Sequence, residues 1–147
     1  MDDRTPVAVR RAAMDMLARR DHSVKELRTK LARRFSSATE LISTEVDKLK
    51  EEGLQSDQRL AEHLVRSRVG KGQGPVKIKA ELRSKGLSDD LIEQTLLETD
   101  VDWEVLVKEV ACKRFGESPP VNQRDRAKRV RFLQQRGFLF EQISHVV

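Results

Sequence analysis

Apolar residues in this chain recur at helical spacing along nearly its whole length and show no sustained alternation with the period of two that strands require. Over residues 9–20, Ala12, Ala13, Met16 and Leu17 share one stripe. Val24, Leu27 and Leu31 then fall at i, i+3 and i+7 behind Ser23, and Glu26 stands third after that serine. Such a Ser-x-x-Glu start predicts a capping box, in which the two side chains satisfy free amides of the first turn. A third helix is expected over residues 38–52, with Leu41, Ile42, Val46 and Leu49 inward and Gly53 stopping it.

The same three-helix plan returns twice. Asp57 is positioned to cap a helix carrying Leu60, Ala61, Leu64, Val65 and Arg68. Residues 70–75 break it, and Pro75 suits the first turn of a helix with Ile78 and Leu82 that ends at Lys85-Gly86. Ser88 or Asp89 caps the next, bearing Leu91, Ile92 and Leu96. A third pass opens at Asp102 with Leu106, Val107, Val110, Ala111 and Arg114. It continues through Ala127, Val130 and Leu133 to Arg136-Gly137, and closes on a short helix with Ile143, Val146 and Val147.

Counting supports a repeat. Arg20, Arg68 and Arg114 close the first helix of each unit, 48 and 46 positions apart, and Leu31, Leu82 and Leu133 are spaced by 51 both times. Leu82-x-x-Lys85-Gly86-Leu87 matches Leu133-x-x-Arg136-Gly137-Phe138, while Arg129 stands where the other units carry Leu27 and Ile78. A helical period of this length signals stacked modules. The fold class expected is all-α: three tandem three-helix modules over residues 1–53, 54–99 and 100–147, forming an elongated, curved, solenoid-like chain.

Composition fits that division. Of 147 residues, 37% are hydrophobic and 36% charged, too thin for one large core but enough for narrow stripes completed by neighbours. No apolar run approaches the ~20 residues of a spanning helix, and nothing after Met1-Asp2-Asp3-Arg4 resembles an export signal. A soluble cytoplasmic monomer is expected, without cofactor. Cys112 is the sole cysteine, and His22, His63 and His145 lack a second ligand at metal spacing, so neither a disulfide nor a zinc site is indicated. Ser, Asp and His are too scattered for a catalytic signature. The glycine-rich stretch over residues 70–75 lacks the Ser or Thr that a phosphate-cradling loop requires after its lysine, because Gly72 follows Lys71. It reads as a helix stop and start, with a second reading in which Lys71 and Lys77 flank free helix-start amides that suit a phosphate.

The net charge of +5 is distributed as +2, +1 and +2 over the three units, counted from the sequence. Within each unit the basic residues gather on the second helix. Lys25, Arg28, Lys30, Arg33 and Arg34 lie in the first. Lys71, Lys77, Lys79, Arg83 and Lys85 surround the second, and Arg124, Arg126, Lys128, Arg129, Arg131 and Arg136 the third. With five phenylalanines, one tryptophan and no tyrosine, contact with a nucleic acid would run through phosphates rather than stacked bases.

One stretch is specific enough to name a family. Asp57-x-x-Leu60-Ala61-x-x-Leu64-Val65-x-x-Arg68, Gly72-x-Gly74-Pro75 and Ile78-x-x-Glu81-Leu82-x-x-Lys85-Gly86-Leu87 closely resemble the RecX regulatory proteins of bacteria. Ser23-x-x-Glu26-Leu27-x-x-Lys30-Leu31 fits their first unit, and the resemblance spans residues 9–147. Leu60 replaces the family's usual Tyr or Phe, and Arg34-Phe35 its usual basic-Gly. The resemblance implies a non-enzymatic modulator of the RecA recombinase that binds the RecA–single-stranded DNA filament. It would limit filament growth, ATP hydrolysis and strand exchange in DNA repair and the SOS response.

On this reading the contacts to DNA or filament come from Lys25, Arg28, Arg33, Arg34, Lys71, Lys77, Lys79, Arg83, Lys85, Arg124, Lys128 and Arg131. The frame that presents them is built on Leu27, Leu31, Ala61, Leu64, Gly74, Pro75, Ile78, Leu82, Gly86, Leu133 and Gly137. Single-stranded DNA is the expected nucleic-acid partner, and double-stranded DNA a further one. The alternative is an autonomous, sequence-tolerant DNA-binding helical protein, such as a transcription or nucleoid factor.

Overall fold

The computed structural model describes residues 5–147. The polar opening Met1-Asp2-Asp3-Arg4, read above as carrying no export signal, lies outside them. Among the described residues there are nine helices and no strand. The first module holds α1 (Pro6–Arg19), α2 (Val24–Arg34) and α3 (Thr39–Glu51). The second holds α4 (Asp57–Gly70), α5 (Pro75–Ser84) and α6 (Asp89–Thr99). The third holds α7 (Trp103–Phe115), α8 (Gln123–Gln135) and α9 (Phe140–Ser144).

Local chemistry sets the ends of these helices. Thr5 caps α1, and Pro6 at its first position extends the helix upstream of the stripe beginning at Val9. The Ser23/Glu26 capping box forms as its spacing requires, with the Ser23 hydroxyl accepting from the Glu26 amide and the Glu26 carboxylate from the Ser23 amide. Ser88 and Asp102 cap α6 and α7. Asp57 does not cap α4; Ser56 does, its hydroxyl accepting from the Arg59 amide. Asp57 is instead turned toward the first module, where its Oδ1 accepts from the Val24 amide at 2.9 Å and from Gln55 Nε2 at 2.8 Å.

Each module has its own core. Leu27, Leu31, Val46 and Leu49 are fully buried in the first, Ala61, Val65, Ile78, Leu82 and Ile92 in the second, and Val107, Leu133 and Ile143 in the third. A fully buried leucine contributes about 1.5–3 kcal/mol, so Leu31, Leu82 and Leu133 mark one equivalent anchor in each unit. The main helix–helix packings all lie within modules. The accessible surface is 9414 Å², against roughly 7,700 Å² for a compact monomer of this mass. The excess is the surface of an elongated array.

The third core departs at Arg129, which occupies the Leu27/Ile78 position yet is buried. Its guanidinium donates to the Ser118 carbonyl at 2.8 Å, pairs with Asp125 at 3.2 Å and lies 5.2 Å from the centre of the Phe115 ring. Charge pairing, a carbonyl and an aromatic face together replace the methyl groups that the other modules bury there.

Candidate nucleic-acid and filament interface

The second helices α2, α5 and α8 are joined end to start. The carbonyl of Lys85, just past the end of α5, accepts from the hydroxyl of Ser23 at the start of α2. At the other joint the Gly74 amide donates to the Arg136 carbonyl at 2.7 Å, and the Val76 amide to the Gly137 carbonyl at 2.9 Å. Each joint sets the negative end of one helix dipole against the positive end of the next, which is favourable. The helices that carry the basic residues thus form one row, α8 to α5 to α2.

Glycine makes these joints possible. Gly86 and Gly137 adopt φ of +84° and +96°, and the amide of the next residue, Leu87 or Phe138, closes each helix by donating to the carbonyl of the buried Leu82 or Leu133. A Cβ on Gly86 would fall 2.2 Å from the Lys25 side chain, and one on Gly137 2.4 Å from Lys77. Module one has Phe35 at this place, and among the described residues no amide of another module bonds to the end of α2. Phe35 is buried in the first core instead.

The joint overturns the phosphate reading of residues 70–75. Two amides at the start of α5 are already donating to backbone carbonyls of the third module. The loop is a socket for Arg136-Gly137.

The twelve basic candidates separate by their partners. Arg28 pairs with Asp47 at 3.6 Å, Lys79 with Glu93 at 3.1 Å, Arg83 with Asp89 at 3.0 Å and Lys85 with Glu26 at 3.6 Å. Lys85 is therefore a joint residue, bridging modules one and two. Its partner Glu26 loses solvation on burial, but Arg20, the Ser23 amide and Lys85 together hold the carboxyl below its ordinary range. Lys25, Arg33, Arg34, Lys71, Lys77, Arg124, Lys128 and Arg131 are exposed and form no ion pair among the described residues. These eight are spread over all three modules.

Sequence reasoning missed the polar side of the joints. Asp21 holds Arg59 at 3.3 Å and His63 at 2.9 Å, so an acid between α1 and α2 binds two residues of α4. The repeated arginines that close each first helix clamp the second helix of their own module. Arg20 meets Glu26 at 2.8 Å, and Arg68 forms a bidentate pair with Glu81, both bonds at 2.8 Å. Among the described residues Arg114 meets no carboxylate; its guanidinium lies 5.5 Å from the centre of the Phe132 ring.

No helix is long and apolar enough to cross a membrane among the described residues, nor do three metal-ligating side chains gather there. Comparison with known proteins is consistent along the chain. Family models match for the first RecX three-helix domain at residues 10–39, the second at 56–96 and the third at 101–147. The regulatory protein RecX of Pseudomonas putida (strain GB-1) is 46% identical over 143 residues, covering 97% of this chain and 91% of its own. That of Chromohalobacter salexigens is 47% identical over 135 residues, covering 92% and 88%. The crystal structure of RecX from Lactobacillus salivarius superposes with a TM-score of 0.78 at 25% identity, covering 99% of this chain and 96% of that one. By its three domains and its relatives, this chain belongs to the RecX family of regulatory proteins.

Proposed function

We propose that this protein restrains RecA by lying along the recombinase–single-stranded DNA filament, with the row of second helices facing it. The observation that carries this reading is the end-to-start joining of α2, α5 and α8. Three short basic helices held in register can follow a repeating phosphate backbone or acidic protein groove, whereas three loosely tethered ones would lose affinity to the entropy of alignment. Lys25, Arg33, Arg34, Lys77, Arg124, Lys128 and Arg131 supply unpaired charge, and the exposed pairs of Arg28, Lys79 and Arg83 exchange readily for phosphate because surface ion pairs are weak. Inhibition then needs no chemistry: a bound monomer obstructs the next recombinase subunit or the second DNA strand, in the cytoplasm.

An autonomous duplex reader is less well served by this geometry. Recognition helices present their N-terminal residues to base edges, and the N-terminal ends of α2 and α5 are covered by the following modules.

The test is DNA-dependent ATP hydrolysis by the cognate RecA with this protein added below the filament's subunit concentration. Falling hydrolysis and retention on preformed filaments support the proposal; unchanged hydrolysis with no retention refutes it.

A further inference from the structure

A cleft of about 670 Å³ opens where α7 and α8 of the third module meet the α4–α5 loop of the second. Four cations border it, Lys71, Lys113, Arg114 and Arg136, with Glu109 as the one acid, for a local charge of +3. None of the four cations forms an ion pair among the described residues.

The repeat shows where this charge comes from. Glu81 stands one residue before the buried Leu82, and in module two it neutralises Arg68. In module three the residue one before Leu133 is Phe132, so Arg114, the counterpart of Arg68, keeps its charge. Arg136 also lies over Phe132, at 5.4 Å, and donates to the Lys71 carbonyl at 3.0 Å. Stacking and this hydrogen bond hold the guanidiniums in place, lowering the entropy lost when a carboxylate accepts from them in bidentate fashion.

The remaining walls are aliphatic: Val69, Leu106 and Val110. A nucleic acid would leave them without a partner, and Phe132 offers no ready stacking face because two guanidiniums already lie over it and Phe115 packs against it in a T-shaped pair, the rings 5.3 Å apart at 85°. A peptide carrying both carboxylates and a large apolar side chain would satisfy rim and wall together. We propose that the cleft between the second and third modules is a docking site for an acidic peptide segment with an apolar anchor, using none of the seven unpaired cations assigned above to the filament.

The experiment uses the full chain and fluorescence anisotropy with three labelled probes. They are the peptide Glu-Asp-Glu-Leu-Phe-Glu-Asp-Glu, the same peptide with Ser-Ser for Leu-Phe, and an oligothymidylate of matched length. The expected result is binding of the first peptide at least about tenfold tighter than the second, since the anchor supplies the difference. The double variant Lys71→Glu/Lys113→Glu changes two exposed side chains. It should weaken that peptide at least about tenfold, because like charges set against each other across the cleft oppose binding, and leave the thermal melt unchanged. No peptide binding, equal binding of both peptides, or a loss of oligonucleotide affinity in the double variant equal to its loss for the peptide would overturn the proposal. Because the filament proposal is read by ATP hydrolysis and filament retention, either can fail alone.

Discussion

A Cβ placed on Gly74 would lie 2.5 Å from both the carbonyl carbon and the carbonyl oxygen of Gly137. The two backbones touch, and the amide of Gly74 bonds to the carbonyl just before that glycine. Gly74 itself has φ of −87°, so any residue could adopt its conformation; contact, not backbone freedom, requires glycine here. Gly74→Ala should therefore destabilise the chain by about 1–3 kcal/mol as the joint is forced apart. Gly70, the last residue of α4, has nothing near its missing Cβ, and Gly70→Ala should be neutral or stabilising by up to about 1 kcal/mol. Urea melts of the two variants check the contrast.

Asp57 gives the corresponding test at the first joint. It accepts from the Val24 amide and from Gln55, whose Nε2 also reaches the His22 carbonyl at 3.2 Å. Asp57→Ala leaves a buried donor without a partner and should cost about 1–3 kcal/mol. Asp57→Asn keeps an acceptor at the same place and should recover most of that loss. Equal destabilisation by the two would remove the hydrogen bond as the cause.

His22 makes the first joint acid-sensitive. It is buried, with Nδ1 at 3.0 Å from the Arg20 carbonyl and Nε2 at 3.0 Å from Lys30 Nζ. Burial, aided by the charges of Arg20 and Lys30, holds its pKa below the ordinary 6.5, against the Arg20 carbonyl and Glu26. The unfolded chain then binds a proton that the folded chain refuses, so stability is complete above pH of about 6.5 and falls as pH drops toward the folded value. Losses from Glu26 and Glu81, whose carboxyls are held down by their partners, come in a lower window, beginning near the ordinary 4.5. Melts at pH 7.5 and 5.5 should show a loss in the parent chain that His22→Gln reduces; an equal loss would assign the effect elsewhere.

The helices and their buried faces were legible in the sequence because 3.6-residue periodicity and capping chemistry are local. Leu31, Leu82 and Leu133 declared the repeat, and each is fully buried. The Lys85-Gly86 and Arg136-Gly137 pairs were legible as helix stops, but not as joints. That property depends on what another module places beside them, and nothing within a few residues encodes it. Asp57 was misread for the same reason: an acid at a helix start has a local partner by default, and here a distant amide wins. The basic residues were visible as a cluster, whereas their division into paired and unpaired sets depends on acids from other helices, such as Glu93 against Lys79 and Asp47 against Arg28.

The central claim is that the joined second helices meet the phosphate backbone through unpaired cations from all three modules. The direct measurement is the salt dependence of binding to single-stranded DNA filaments for Arg33→Gln, Lys77→Gln, Arg131→Gln and their combination. Each phosphate contact on a single strand adds about 0.7 to the log–log slope, so each variant should flatten it by about 0.7 and the triple by about 2. An unchanged slope in the triple variant would contradict the account.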